Sequence, residues 1–327
     1  MLPQVRMQPW YPGQFGVSFG DVQRGLRTAP TAIVLYVDED NNNANDANDG
    51  TNPEAPKLTI QAAVTQLVTF QTVLGVSLRG SVIVVAGLAY DEAVTIPADV
   101  SDCTLLGSGP TYNLPTWAST AVVTTPCLTI NAEGWVIEGF HFNPPTTSAG
   151  ILLNLAANET VIQNNMFNGA WTGLYGVQFV GSPFNVHILN NWFVEMNNAN
   201  DALAFCIYVT NSLTANPYMC AIVGNRFSDA DNYIGSLNND RSFNATLFKD
   251  NVFDLGALLT PTIYLDLRGG SQGLNMVVGN TFPGDYSNTG GYYAHAATPG
   301  MWVGNICQDV LEAEVGDNGF SVAPPAA

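Results

Sequence analysis

Apolar and polar residues alternate over short stretches through most of the chain, a pattern that predicts short β-strands with one face in a core. In the C-terminal half this alternation belongs to a longer unit, in which an aliphatic residue is followed by an Asn-x-Phe step. Successive copies end 25, 26, 34, 26, 29 and 25 residues apart, a regularity that chance does not explain. The seven copies end at Phe142, Phe167, Phe193, Phe227, Phe253, Phe282 and Cys307.

A period of this length predicts a solenoid in which each copy is one coil. We expect an all-β fold, a single-stranded right-handed parallel β-helix over residues 31–315, with the aliphatic and Phe side chains stacked inside. The asparagine is expected at a sharp bend, because asparagine tolerates the left-handed conformation. Stacked coils would align six side-chain amides in a structural ladder: Asn165, Asn191, Asn225, Asn251, Asn280 and Asn305.

One segment near the N-terminus has the spacing of a helix. Apolar residues recur at positions 60, 63, 64, 67, 68 and 74, and Thr59 precedes them as an N-cap. We expect a helix over residues 59–74 that covers the N-terminal end of the solenoid, because an open sheet edge invites pairing with other chains.

The opening of the chain resembles a known family. Tyr36-Val37-Asp38 precedes an Asn/Asp-rich loop and the segment Thr-Ile-Gln-Ala-Ala-Val at 59–64. A β-rich run at 81–87 and a Tyr-x-Glu-x-Val-x-Ile segment at 90–96 follow. This order resembles bacterial and phage parallel β-helix proteins of the pectate-lyase-like superfamily, over residues 33–310. The resemblance implies the fold but leaves the function open, because this fold serves enzymes, adhesins and virion parts alike.

The two ends of the chain stand outside the repeat. Residues 1–30 contain prolines that break regular structure, and residues 316–327 are interpreted as a loose tail. Disordered tails are poor in aromatic residues, so this N-terminal arm is predicted either to pack on its own coils or to dock on a partner. The candidate partner-binding residues are Trp10, Tyr11, Phe15 and Phe19.

Charge narrows the range of partners. The net charge is −18 with nine basic residues, and charged residues make up 11% of the chain, against a usual share of about 25%. Nucleic-acid binding needs a basic stripe, and the sequence has none. Anionic membranes and polyanionic substrates are disfavoured for the same reason. Neutral glycans and protein partners remain open.

Cysteine usage and hydropathy add further expectations. The five cysteines are widely spaced without a C-x-x-C pair, so they are interpreted as buried free thiols, with Cys307 in a core position. No stretch of about 18 apolar residues occurs, which predicts no membrane insertion. The first residues lack the apolar run of a Sec signal peptide, so a virion or otherwise extracellular location is expected without that signal.

Candidate chemistry is sparse. The calcium and Arg-rich elements of pectate lyases are missing, as are the segments typical of polygalacturonases. Glu195 and Asp229 each fall two residues past a repeat Phe on consecutive coils, so stacking would bring them together as a carboxylate pair of the kind that glycosidases use. They are weak catalytic candidates, because acidic residues are common at such corners.

The Asn/Asp-rich loop at 38–50 is the strongest candidate metal site. It offers hard oxygen ligands of the type that Ca²⁺ prefers, although it does not match the EF-hand register. The weak calcium candidates are Asp38, Asp40, Asp46 and Asp49. A solvated polar turn is the simpler interpretation, so the prediction is no cofactor, with Ca²⁺ as the alternative.

Two classes of function follow. The first is a non-enzymatic structural protein of an extracellular assembly, a phage virion component that docks through its arm on other virion or envelope proteins and forms a homo-oligomer, with a trimer favoured. The alternative is a carbohydrate-binding or glycan-cleaving β-helix, similar to a capsule depolymerase. Its candidate sugar-stacking side chains are Trp171, Tyr175, Tyr233, Tyr292 and Tyr293.

Overall fold

The computed structural model describes residues 31–109, 114–119, 124–197, 204–210, 216–236, 242–254, 263–267, 274–282, 294–295 and 300–307. Within them lie one helix and 27 strands in three sheets, all pairings between these strands being parallel. Helix α1 is Ile60–Leu74. Sheet 1 contains β1 (Val34–Asp38), β2 (Val82–Ala86), β5 (Thr104–Gly107), β8 (Val136–Glu138), β11 (Val161–Gln163), β14 (His187–Leu189), β17 (Ala221–Val223), β20 (Leu247–Lys249), β23 (Asn275–Val278) and β26 (Gly300–Val303).

The other two sheets are built in the same way. Sheet 2 contains β3 (Ala89–Asp91), β6 (Thr116–Ala118), β9 (His141–Asn143), β12 (Met166–Asn168), β15 (Trp192–Val194), β18 (Arg226–Ser228), β21 (Val252–Phe253), β24 (Thr281–Phe282) and β27 (Ile306–Cys307). Sheet 3 contains β4 (Val94–Ile96), β7 (Leu128–Ile130), β10 (Ala149–Leu153), β13 (Tyr175–Phe179), β16 (Phe205–Val209), β19 (Asn232–Gly235), β22 (Ile263–Asp266) and β25 (Ala294–His295).

The chain visits the three sheets in a fixed order, sheet 1, sheet 2 and sheet 3, and then returns to sheet 1 one strand further along. Each circuit is one coil of a right-handed parallel β-helix, the hand that parallel crossovers almost always take. The predicted fold is therefore confirmed. Residues 1–30 and 316–327, the predicted arm and tail, lie outside the described residues.

The turn between sheets 1 and 2 corrects one detail of the prediction. The ladder asparagines themselves do not have positive φ. The residue before each of them does, with φ between 53° and 69°, and it is a glycine, an asparagine or an aspartate, the types that tolerate this conformation. These residues are Asn164, Asn190, Gly224, Asp250, Gly279 and Gly304.

Releasing the ladder asparagines from the bend lets their side chains point into the solenoid. The Oδ1 atom of Asn191 accepts hydrogen bonds from the backbone amide (3.0 Å) and the Nδ2 atom (3.1 Å) of Asn165. Its own Nδ2 donates to the Ile162 carbonyl (2.8 Å) and to Asn225 Oδ1 (3.1 Å). The same bonds repeat through Asn305, so the ladder satisfies buried polar backbone groups at a corner where strand pairing stops.

The core stacks identical side chains from coil to coil. Successive Phe rings from Phe142 to Phe282 lie 4.7–5.1 Å apart with planes within 12° of parallel. That distance is the spacing of the strands themselves, about 4.8 Å. Cys103, Cys127, Cys206 and Cys220 are free and buried in this core, and burial raises the thiol pKa of Cys103 to about 12.

Helix α1 has the predicted start and packs against β1, β2 and β4. The Thr59 hydroxyl accepts from the Ala62 amide (3.2 Å), which caps the first turn. Glu92, from the next coil, accepts from the amides of Ile60 (2.7 Å) and Gln61 (3.1 Å). Burial raises the pKa of the Glu92 carboxyl, and the two hydrogen bonds from the backbone amides oppose that rise.

Candidate functional site

The outer face of sheet 2 carries a column of side chains, one from each coil, in which His141, Met166, Trp192 and Arg226 are successive members. The guanidinium carbon of Arg226 lies 5.6 Å from the centroid of the Trp192 ring, within the range of a cation–π contact. Arg226 Nη2 also lies 3.5 Å from Asp254 Oδ2, and both side chains are about half exposed. The column and the adjoining Asp254 thus present an aromatic ring, a cation and a carboxylate on this face.

Glu195 and Asp229 lie at the edge of this column, where the chain leaves sheet 2. Val194 pairs with Ser228, so the two acidic residues occupy equivalent positions on neighbouring coils, as predicted from their spacing to the repeat Phe. Both have left-handed backbones, with φ of 56° and 50°, and both are half-buried. Their backbones are therefore one strand spacing apart, about 4.8 Å.

The preceding coil adds a second tryptophan beside Glu195. The Trp171 amide donates to the Glu195 carbonyl (3.1 Å), and Trp171 has φ of 64°, an uncommon conformation for a bulky residue. Gly169 allows this close approach, because a Cβ atom there would lie 2.4 Å from the Glu195 carbonyl oxygen. Glu195 is thereby placed near two tryptophans, Trp192 in the strand that precedes it and Trp171 in the preceding coil.

Buried groups support the site from below. The Tyr233 hydroxyl donates to the Asp254 carbonyl, and burial raises the pKa of this phenol, with Asp254 and Asp229 adding to the rise. The Trp192 Nε1 atom donates to the Ser228 hydroxyl at 3.5 Å. These contacts hold the aromatic ring and the Asp254 backbone in fixed positions over the core. We call Trp171, Trp192, Glu195, Arg226, Asp229 and Asp254 the sheet 2 patch.

The Asn/Asp-rich loop uses its carboxylates differently. Asp46 accepts from the amides of Leu58 and Thr59, Asp40 accepts from the Leu88 amide, and Asp38 accepts from the Asp40 amide. Hydrogen bonds from the Thr51 amide and hydroxyl lower the pKa of Asp49. In the described part of the chain no three His, Cys, Asp or Glu side chains converge as metal ligands.

The other sequence-predicted candidates are scattered. Tyr233 is fully buried, and Tyr175 is half-buried with its ring stacked 4.3 Å from that of Tyr208. Tyr292 and Tyr293, and the arm residues Trp10, Tyr11, Phe15 and Phe19, lie outside the described residues. Sequence reasoning missed Trp192 and Arg226, because their contact becomes visible only once the register between coils is known.

No family model matches the chain, and no curated protein matches it. Among solved structures it is similar to an alginate lyase from Paenibacillus sp. str. FPU-7, with 18% identity, a TM-score of 0.45 and coverage of 75% of this chain and 93% of that one. At this identity and TM-score the likeness concerns the fold.

The solved structure is named an alginate lyase, which contradicts the prediction of a non-enzymatic virion component and leaves its alternative, a carbohydrate-binding or glycan-cleaving β-helix. The described residues contain no helix that is long and apolar enough to cross a membrane. With three parallel sheets that the chain visits in a fixed order, the chain has a right-handed parallel β-helix fold.

Proposed function

We propose that the protein binds a neutral glycan along the outer face of sheet 2 and hydrolyses it there. The observation that carries this proposal is the pairing of Glu195 with Asp229 beside Trp192 on the sheet 2 patch. Tryptophan faces stack on sugar rings through their apolar C–H surfaces, while carboxylates and an arginine supply hydrogen bonds to hydroxyl groups. We propose that the protein acts on this glycan outside the cell.

The spacing of the two acidic residues favours one type of hydrolysis. Glycosidases that retain the anomeric configuration hold their two carboxyl groups about 5–5.5 Å apart, close to one strand spacing. One carboxyl protonates the glycosidic oxygen and the other attacks the sugar carbon. Water then releases the covalent sugar, so that one water is consumed for each bond broken. Arg226 already pairs with the Asp254 carboxylate, so its positive charge is partly neutralised. The patch therefore suits a neutral substrate better than a polyanionic one.

The test is a glycan-binding and cleavage screen with the full chain, three variants of the sheet 2 patch and one control variant. Glu195→Gln and Asp229→Asn should each lower cleavage by about 10²–10⁴-fold, the usual contribution of a positioned acid or base. Trp192→Ala should weaken binding. Glu159→Gln is the matched control, because Glu159 is an exposed carboxylate with the same left-handed backbone (φ 56°) at a different corner.

Separate outcomes contradict separate parts of the proposal. If both carboxyl variants still cleave the glycan at the rate of the unmodified chain, Glu195 and Asp229 are not catalytic residues. Binding without cleavage by the unmodified chain would leave a carbohydrate-binding protein, and a screen without any bound glycan would reject the proposal altogether.

A further inference from the structure

The outer face of sheet 1 is largely apolar, unlike the usual solvent-facing side of a β-helix. Register places its outward side chains in two columns along the solenoid. From β8 onward the first column is Val136, Val161, His187, Ala221, Leu247, Met276 and Met301, and the second is Glu138, Gln163, Leu189, Val223, Lys249, Val278 and Val303. We call these two columns the sheet 1 face.

Much of this apolar surface is open to solvent near its C-terminal end. Met276, Met301 and Val303 are 41%, 48% and 49% exposed, and Met219 and Leu274 at the adjoining corner are 61% and 63% exposed. Contiguous exposed apolar surface on a protein marks an interaction site more often than chance.

The positions of the charged side chains indicate which partner covers the sheet 1 face. The two columns continue toward the N-terminus onto β5 and β2. Over the described strands from β2 to β26 they contain two charged side chains, Glu138 on β8 and Lys249 on β20. They lie in the same column, and β14 is midway between them, two strands from each. Rotating a second copy by half a turn about an axis along β14 therefore puts Glu138 of each copy opposite Lys249 of the other.

The same rotation matches the remaining positions. Val136 meets Leu247 and Val161 meets Ala221, while Leu189 meets its own counterpart on the axis. On the N-terminal side, Val84 meets Val303, whereas Leu106, opposite Val278, is buried within its own chain. Most of the remaining pairs are apolar, and the two charge pairs are placed symmetrically. The exceptions are Gln163 opposite Val223, Thr104 opposite Met276, and His187 opposite its own counterpart.

We propose that the protein forms an antiparallel two-fold dimer through the sheet 1 face. The local bonds of the two charged groups permit this. The Glu138 carboxylate accepts from Gln163 Nε2 and Asn164 Nδ2, each at 2.8 Å, which fixes its position and leaves lone pairs for a third donor. Lys249 lies 3.5 Å from Asp250 on its own chain and has two further N–H groups for Glu138 of the second copy.

This arrangement differs from the trimer expected from the sequence. A three-fold axis parallel to the solenoid brings equivalent coils together, so Glu138 would face Glu138 and Lys249 would face Lys249. Like charges in an interface are costly, which favours the antiparallel pair.

The size of the face sets the expected strength. The nine overlapping strands, β2 to β26, at about 4.8 Å give a length of about 38 Å, and a width of about 10–13 Å gives roughly 400–500 Å² per copy. This is below the ~800 Å² per partner of standard stable complexes. We therefore expect dimerisation with a dissociation constant in the micromolar range or above.

The test uses charge reversal in the full chain, followed by sedimentation velocity over a concentration series. Glu138→Lys and Lys249→Glu should each raise the dissociation constant by about tenfold or more, because each puts two like-charge pairs into the dimer. An equimolar mixture of the two variants should form a heterodimer about as tight as the unmodified dimer, since both of its pairs are then attractive. Glu54→Lys, an exposed site in the N-terminal loop, is the control for the change in net charge.

Circular dichroism and thermal unfolding of each variant show whether it is folded, and the mixture supplies a gain of association that misfolding cannot imitate. A chain that stays monomeric at several hundred micromolar would overturn the proposal, as would a trimer. A dimer that tolerates both reversals, or a mixture that fails to associate, would also overturn it.

Discussion

At the scale of single residues, two asparagines side by side in one turn do opposite things. Asn190 has φ of 54° and forms the bend, whereas Asn191 is 1% exposed and bonds to the coils on both sides. The sequence pattern identified the right residues for the ladder but assigned the left-handed conformation to the wrong neighbour. Asparagine is compatible with both the bend position and the ladder position. The residue type alone does not show which of the two side chains is buried, so the sequence could not distinguish them.

This division of roles predicts different costs of substitution. Asn191→Ala leaves the Asn165 amide and the Ile162 carbonyl without partners in the core, so the free energy of unfolding should fall by about 2–4 kcal/mol. Asn190→Gly keeps the left-handed backbone and should change the free energy of unfolding by less than about 0.5 kcal/mol. Urea unfolding of both variants measures the difference. Equal losses would show that the ladder contributes no more than the bend.

His141 gives a prediction about pH. Its Nε2 atom is buried without a hydrogen-bond partner, and burial lowers its pKa from the usual 6.5. The unfolded chain therefore binds a proton at pH values where the folded chain does not, so stability falls as the pH decreases through about 6.5 and levels off below the folded-state pKa. Replacing it with methionine, as in the next coil at Met166, should remove this fall.

The measurement is urea unfolding of the unmodified chain and His141→Met at pH 8, 6.5 and 5. The advantage of the variant should grow toward acid. An advantage that is the same at all three pH values would mean that His141 does not titrate differently in the folded and unfolded states.

At the scale of elements, helix α1 depends on a residue from the following coil. Glu92 supplies both of its carboxylate oxygens to amides at the helix start, where the helix dipole also favours a negative charge. Glu92→Ala should therefore lower the free energy of unfolding by about 1–3 kcal/mol and speed amide exchange at Ile60 and Gln61. Glu133→Ala, at an exposed carboxylate, is the control and should have little effect. Unchanged exchange in Glu92→Ala would indicate that the Thr59 cap is sufficient.

The elements also show how far sequence reasoning extends. Strands of sheets 1 and 2 were predictable because each has one inward aliphatic or Phe side chain and a polar or small corner. In sheet 3, β16 is buried at all five positions, so it has no alternation to detect. Glu195 and Asp229 were found because the repeat fixes their register. Trp171 was named as a sugar-stacking candidate, but its position beside Glu195 was not predictable, because it lies in a loop whose path depends on the Gly169 contact.

At the scale of the whole molecule, charge is unbalanced. The net charge is −18, and the described residues contain three ion pairs, all at the surface. Surface pairs contribute little to stability, while repulsion among the excess carboxylates opposes the folded state and any association of copies.

Screening should therefore stabilise this protein. Raising NaCl from about 20 to 300 mM shortens the Debye length to well under 10 Å, and the unfolding temperature should rise by several degrees. The same rise with potassium chloride would exclude a specific sodium effect. A fall in the unfolding temperature would show that attractive pairs outweigh the repulsion.

The ladder has a consequence for how such a chain changes length. Each amide contacts the coil before and the coil after it, so a whole coil can be duplicated without altering any bond elsewhere. A repeated 26-residue segment, such as 165–190, would lengthen the molecule by about 4.8 Å and keep every Phe in its stack. Because the hydrogen bonds of each turn involve only the adjacent coils, the length of the protein can be increased in whole-coil increments while its cross-section stays the same.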